Sequence, residues 1–290
     1  METLLKQSLD SFSCPAPAKL NLMLRITGRR HDGYHNLQTV FQFLDCSDQL
    51  DFQLRNDAEI NLPNDLTEVP KEQNLCFRAA KLLQTQSGTS FGADITLHKS
   101  LPMGGGLGGG SSDAATTLVA LNRLWGLNLS NRQLMDIGLS LGADVPIFIH
   151  GHAAWAEGIG EKITDIDLPE SWFLVIQPPC HISTAEIFRH PDLTRHSPRI
   201  KIRAFLEGNK QNDCLPVVSG RYPEVAKAME WLNRHAEARM TGTGACLFAE
   251  FAERRQADEL LDRLPTDLRG FVAQGLNRSP LLDMFQVEKS

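Results

Sequence analysis

The stretch LPMGGGLGGGSSDAA, residues 101–115, carries six glycines between Gly104 and Gly110, interrupted only by Leu107. Glycine is costly to order, so a run this dense serves where backbone must come close to something. Its surroundings narrow the reading. A strand-like segment enters the run and a strongly periodic helix leaves it. Leu107 gives it an apolar anchor, and Ser111, Ser112 and Asp113 suit a helix N-cap. A helix N-terminus presents open N–H groups and a positive dipole end, and glycine N–H groups crowd in beside them. Together they form an anion site, most often for phosphate. The expected phosphate-binding residues are therefore Pro102, Met103, Gly104, Gly105, Gly106, Leu107, Gly108, Gly109, Gly110, Ser111 and Ser112. A flexible surface loop is the plain alternative, and anchoring at both ends argues against it.

The common phosphate loops do not fit. A Walker loop needs a lysine at the end of the run, and none is there. Gly104, Gly106 and Gly109 spell G-x-G-x-x-G, but a capped helix stands where a dinucleotide fold wants its second strand and acid. Neither H-R-D nor D-F-G occurs. Two charged residues elsewhere invite chemistry. Asp144 follows a helix stop and precedes an apolar, strand-like run, where a carboxylate is either a base with a partner or a turn aspartate. Lys19 shares one strand face with Asn21, either a solvated face or the lining of a site.

The elements that must hold these groups are legible as patterns. Residues 17–26, PAKLNLMLRI, alternate as a half-buried strand, with Leu20, Leu22, Leu24 and Ile26 opposite Lys19, Asn21, Met23 and Arg25. TVFQFLDC and DQLDFQL read as two further short strands, and ADITLHKSLP as a strand stopped by Pro102. Asn74 caps a helix striped by Leu75, Ala79 and Leu82 and ending near Gly88. Ala114, Leu118, Leu121 and Trp125 stripe the helix after the glycines, with Gly126 beyond its end. Ser130 and Gln133 form a capping box for a helix striped by Leu134, Ile137 and Leu141. A second unit starts near Ser171 with the buried strand WFLVIQPP and a short helix capped by Ser183 and Glu186. A basic, irregular stretch, read as a solvated loop, covers 189–203. A helix follows near 222–236, then a glycine turn entering a strand in MTGTGACLFAEF, and a late helix striped by Leu260, Leu261 and Leu264. Strands and helices mix without a strict β-α-β-α rhythm, so the expected class is α+β.

Composition sets outer limits. Hydrophobic content of 42% and charged content of 22% over 290 residues belong to a soluble globular chain. The net charge of -6 offers no general pull on nucleic acid or an anionic membrane, so an anionic ligand must be held locally. METLLKQSLDSFSC lacks the pattern of a signal peptide, and the longest apolar run is about strand length. Six scattered cysteines form no metal or disulfide framework, with Cys76 and Cys246 in apolar-periodic segments expected in the core. A cytoplasmic protein is the expectation.

P-M-G-G-G-L-G-G-G-S-S-D-A resembles the second motif of the galactokinase, homoserine, mevalonate and phosphomevalonate (GHMP) kinases. GADVPIF at 142–148 and MTGTGACLF at 240–248 resemble later motifs of that family. PAKLNLMLRITGRRHDGYHNLQTVFQFLD at 17–45 is similar to its branch acting on a cytidylyl-linked methylerythritol. The resemblance runs in register from about 14 to 250. It implies a two-domain fold, 1–165 binding ATP and 166–290 binding substrate, with the site in the cleft between them. It implies transfer of the γ-phosphate of ATP to the acceptor's 2-hydroxyl. Asp144 then becomes the base and Lys19 its partner, and Asn21 positions the sugar-like chain. Tyr34 stacks on cytosine, His35 hydrogen-bonds its edge, Phe188 is the ring on the other side and Thr184 a substrate contact. Gly242 and Gly244 let backbone approach from the second domain. The family often places proline beside that threonine, where this chain has Ala185. Ser111 and Ser112 are candidates for phosphate or Mg²⁺, a helix cap being the plain reading of one of them. Asp113 is either a first-turn acid favouring the helix dipole, the preferred reading, or a remote Mg²⁺ partner, and metal ligands stay unassigned. Mevalonate- or homoserine-type kinases, or a nucleotide-binding module without catalysis, are the alternatives. A cytidine site speaks against the first, and Lys19 with Asp144 against the second.

Overall fold

The computed structural model describes residues 10–64 and 70–285. Most of the amino-terminal segment read for a leader, and the outer ends of both expected domains, lie outside them. Two long antiparallel strands, β1 (Ser11–Arg29) and β2 (His35–Arg55), form the backbone of the molecule. The alternation expected at 17–26 is real, but the strand is not half-buried, since Lys19, Asn21, Met23 and Arg25 are all buried too. Chain from the second half covers that face, and Arg25 donates there to Asn209 at 2.9 Å and Gln211 at 3.2 Å. The two short strands expected at 39–46 and 48–54 are one, because the ladder to β1 continues through Asp48 and Gln49. Register shifts between Pro17 and Lys19 and between Asn21 and Met23 bracket the two polar residues of interest. Bulges of this kind re-aim side chains.

After β3 (Ile60–Asn61) comes α1 (Leu75–Ser87), whose N-cap Asn74 accepts from the Cys76 N–H and whose C-cap Gly88 has φ 68°. Its buried stripe is Cys76, Ala79, Ala80 and Leu83, one residue on from the stripe expected around Leu82. β4 (Gly92–His98) stops four residues short of Pro102. Next come α2 (Gly109–Leu124) and α3 (Asn131–Leu139), the latter with the expected Ser130–Gln133 capping box. The run DVPIFI is not a strand but α4 (Val145–His150), with Pro146 in its first turn. Short apolar runs are ambiguous in period, and a first-turn proline pre-sets helical φ.

β5 (Ala154–Gly158) and β6 (Lys162–Asp165) make a hairpin, followed by β7 (Trp172–Gln177) and α5 (Thr184–Arg189) with its Ser183 cap. Then come α6 (Ile202–Leu206), α7 (Leu215–Arg221), α8 (Pro223–Asn233), β8 (Arg239–Met240) and β9 (Leu247–Phe251). The described chain closes with α9 (Arg254–Leu261), β10 (Arg269–Leu276) and α10 (Pro280–Phe285).

The sheet runs β3-β4-β2-β10-β7-β9-β8, with β1 and β5 also on β2. Its strands pair antiparallel except β3 with β4, an α+β arrangement. One core packs the first half's sheet against α1 to α4, and another packs β7 and β9 against α5, α7, α8 and α9. A third draws Leu20, Leu22 and Val40 together with Phe173, Val175 and Phe248, so strands of both halves share it. The edge of β1 away from β2 is bonded to distant chain. The Lys19 N–H donates to Leu107 O, Asn21 N–H to Thr241 Oγ1, Leu24 N–H to Gln211 O and Ile26 N–H to Asp213 Oδ2. The first two bonds seat the glycine run and the 240–246 turn beside one strand, and the other two hold Gln211 and Asp213 along it. All six cysteines are free, with Cys14, Cys76, Cys214 and Cys246 buried. Among the described residues no helix is long and apolar enough to cross a membrane.

Candidate active site

The glycine run becomes a loop that ends in α2. Gly104, Gly106 and Gly108 have φ of 68°, 78° and 77°, the left-handed region that other residues occupy only with strain. Two of these glycines are also required by space. A Cβ on Gly106 stands 2.4 Å from the Thr241 carbonyl oxygen, and one on Gly108 stands 2.9 Å from Lys19 Cε and 2.7 Å from the Phe148 ring. The helix starts earlier than expected. Gly108 is its N-cap, without a side-chain cap bond, so Ser111 and Ser112 lie inside the first turn rather than capping it. The N–H groups of Gly109, Gly110 and Ser111 therefore lack an intrahelical acceptor, at the positive end of a sixteen-residue helix, while the Ser112 N–H donates to Gly108 O.

Lys19 rises from β1 under this loop. Its ammonium is buried and donates to Asn21 Oδ1 at 2.5 Å and to the Gly106 carbonyl at 3.0 Å, with Asp144 Oδ2 at 3.3 Å. Asp144, at the N-terminus of α4, keeps 37% of its side chain exposed, so the pair consists of a hidden ammonium and an open carboxylate. Asn21 is fixed in turn by donating to Thr39 Oγ1 at 2.8 Å, and Thr39 donates to Met23 O at 2.6 Å. Thr241 Oγ1 donates to Gly106 O at 3.1 Å, tying the second half's turn to the loop. Gly242 has φ 57° with a would-be Cβ 3.3 Å from Asn21 Oδ1, so this turn presses backbone against the same asparagine.

These groups line a cavity of about 620 Å³. Lys19, Asn21, Asp144, Thr184, Phe188, Gly242, Gly244 and the loop from Pro102 to Ser111 all border it. Thr184 bonds Thr243 at 2.9 Å on the second half's wall. Ser112 does not border it, being wholly buried beneath the loop. Tyr34 stands 57% exposed and His35 is buried; neither borders the cavity, but the His35 ring stacks on Phe188, which does, at 5.2 Å and 25°. Burial and the Arg195 and Arg29 guanidiniums hold the His35 imidazole below its ordinary value. A larger groove, about 810 Å³ around Ser13, Asp51 and Asn61, contains none of the expected residues.

Sequence reading missed a buried ionic cluster at the far wall. Lys99 bridges Asp48 and Asp113, 2.9 Å from the latter, while Asp48 Oδ1 accepts from the N–H groups of Ser100 and Leu101. Asp113 is thus no first-turn acid serving the helix dipole, since it lies one turn further in and faces Lys99. Burial, reinforced by Asp48 and only partly offset by Lys99, pushes its carboxyl up to about 7. Asp113 Oδ1 is buried without a partner among the described residues. Lys99 and Asp48 carry no local pattern, and only the meeting of β2, β4 and α2 makes them a unit. Arg195 was also missed. The stretch 189–203 is irregular as expected, yet this arginine is held by hydrogen bonds rather than solvated.

The arrangement of a glycine loop at an uncapped helix, with a lysine–aspartate pair at its mouth, suits phosphoryl transfer to a hydroxyl. Comparison with known proteins agrees. Residues 74–152 match the GHMP kinases N terminal domain and 197–270 the GHMP kinases C terminal domain. The 4-diphosphocytidyl-2-C-methyl-D-erythritol kinase of Tolumonas auensis is 55% identical over 94% of this chain and 95% of its own. The chain belongs to the 4-diphosphocytidyl-2-C-methyl-D-erythritol kinase family. The enzyme of that name from Ectopseudomonas mendocina is 58% identical over 92% of both chains. A crystal structure of 4-(cytidine 5'-diphospho)-2C-methyl-D-erythritol kinase superposes with a TM-score of 0.80, at 29% identity over 91% of this chain and 99% of that one. A mevalonate kinase structure, at 17% identity over 92% of this chain and 100% of that one with a TM-score of 0.65, shares the GHMP fold.

Proposed function

We propose that this kinase transfers the γ-phosphoryl group of ATP to the 2-hydroxyl of 4-diphosphocytidyl-2-C-methyl-D-erythritol, a step of isoprenoid biosynthesis. The hydroxyl oxygen bonds to phosphorus as the bond to the β,γ-bridging oxygen breaks, giving the 2-phosphate and ADP. The observation that carries the reading is the Lys19–Asp144 pair, 3.3 Å apart, in one cavity with an uncapped glycine helix and the Thr184–Phe188 wall. The loop's N–H groups receive the phosphates. Asp144, open to the cavity, orients the 2-hydroxyl and accepts its proton. Lys19 stabilises charge on the transferring group, while Asn21 holds both Lys19 and the acceptor chain.

Mg²⁺ suits the oxygen set on the other flank of the loop. Asp113 borders the cavity with an Oδ1 that is buried and unpartnered among the described residues, and Ser111 borders the same cavity with a hydroxyl, the hard oxygen donors a divalent ion of this kind takes. These two residues would hold the ion, which neutralises phosphate charge when bound. With a division near 165, the amino-terminal half then serves ATP, and the cytidylyl end lies where Tyr34 and His35 of that half meet Phe188 of the carboxy-terminal half. Phe188 and Tyr34 flank the cytosine, and His35 reads its edge. The test is ADP release with Mg·ATP and, in turn, the cytidylyl substrate, mevalonate and homoserine. Release with the first alone is the expected result. Release with another acceptor overturns the cytidine site, and none with any acceptor overturns the kinase reading.

A further inference from the structure

Arg195 sits in the basic stretch that local sequence assigns to solvent, but all five of its N–H donors have an acceptor. Nη2 donates to the carbonyls of Phe188 at 3.1 Å and His190 at 2.7 Å, and Nη1 to those of Leu193 at 3.1 Å and Pro191 at 3.3 Å. The fifth donor, Nε–H, reaches His35 Nε2 at 3.3 Å. A guanidinium is always protonated and has no lone pair to offer, so His35 Nε2 must be the acceptor. The imidazole is then neutral, with its single proton on Nδ1. Among the described residues Nδ1 has no hydrogen-bond partner; His35 does not itself line the cavity, and its ring is joined to it by stacking on Phe188, which does.

We infer that Arg195 is a specificity-determining positioning residue: it locks His35 in the Nδ1–H tautomer, so that the site presents a donor to the pyrimidine edge and selects cytosine over uracil. This rests on the cytidylyl acceptor proposed above. Cytosine offers an unprotonated N3 to such a donor, whereas uracil carries N3–H and sets donor against donor. A neutral imidazole free to exchange tautomers serves both bases. The guanidinium fork also clamps the Phe188–Leu193 carbonyls, which holds the stacked ring and its reader as one piece. Lysine keeps the charge but cannot reproduce a five-donor planar fork.

The experiment measures binding of CDP and of UDP by calorimetry, with the glycine-loop site filled by a non-hydrolysable ATP analogue. Wild type is expected to prefer CDP by at least about tenfold, and Arg195→Lys to lose most of that preference with affinity for the ATP analogue changed less than about twofold. His35→Asn, whose amide can present either a donor or an acceptor, removes the preference by itself, and adding Arg195→Lys to it changes nothing further. Nitrogen NMR of wild-type imidazoles, which needs no variant, is expected to find His35 protonated at Nδ1 alone. A proton on Nε2, an undiminished CDP preference in Arg195→Lys, an equal loss for the ATP analogue, or additive effects in the double variant overturns the inference. Binding needs no turnover, so a protein that selects CDP without releasing ADP refutes the activity and leaves the tautomer lock intact.

Discussion

At the residue scale the proposed chemistry depends on one contact, Asp144 Oδ2 against the Lys19 ammonium. Asparagine at 144 keeps the shape and loses the proton acceptor. Asp144→Asn is therefore expected to lower kcat by about 10²–10⁴-fold, the usual worth of a positioned base, with ATP affinity unchanged in an equilibrium titration. Undiminished turnover refutes the assignment. Tyr34 makes a separate prediction. Its ring is more than half exposed, so replacing it takes little from the fold. Tyr34→Ala is expected to raise KM for the cytidylyl substrate by about tenfold or more, the worth of one base stacked on an aromatic ring, while KM for ATP holds. Equal changes in both constants contradict the stacking role.

At the element scale the glycine loop and α2 are proposed to bind phosphate as one unit, an assignment supported by the absence of a side-chain cap on the helix and by the left-handed Gly108. Gly108→Ala adds a methyl 2.9 Å from Lys19 Cε and 2.7 Å from Phe148 at a positive φ. The strain alone is about 1–2 kcal/mol, and relief must come from moving Lys19 or Phe148. Turnover is expected to collapse well before the fold does, and comparing kcat with the melting temperature checks this. The cluster beneath α2 makes a second prediction. Asp113, its folded value raised to about 7, takes up a proton on folding at pH values between its unfolded value of about 4 and 7. The unfolded state binds fewer protons there, so this group's contribution to stability falls as pH rises through that window. Denaturant melts from pH 4 to 8 should show the decline in wild type and a weaker one in Asp113→Asn. Identical slopes refute it.

At the scale of the whole molecule the two halves are joined by more than a linker. β10 pairs with β7 along its length and with β2 at Gly275 and Leu276, and the third core takes side chains from both halves. Gly275 lies at the crossing, where a Cβ stands 2.7 Å from the Phe173 ring and 2.9 Å from Gln42 Cδ. Gly275→Ala is expected to cost about 1–3 kcal/mol by overpacking. The shared core also predicts a single calorimetric transition, which this variant shifts as a whole. Two separated transitions, with only one moved, refute the shared core as the joint.

The sequence by itself determined the features set by neighbours in the chain. Helix caps at Asn74, Ser130 and Ser183 were legible because capping is a matter of two or three residues. The glycine loop was legible as a connection between a strand and a helix N-terminus for the same reason, since strand, glycines and helix follow one another. Family resemblance then supplied roles for Lys19 and Asp144 that spacing alone left open. Tertiary structure decided the rest. It buried both faces of β1, merged two expected strands into β2, and turned DVPIFI into a helix that presents Asp144. It also assembled Lys99 with Asp48 and Asp113, and Arg195 with His35, pairs drawn from segments 51, 14 and 160 residues apart. Burial and long-range charge pairing depend on what covers a residue, and a local pattern carries no record of its cover.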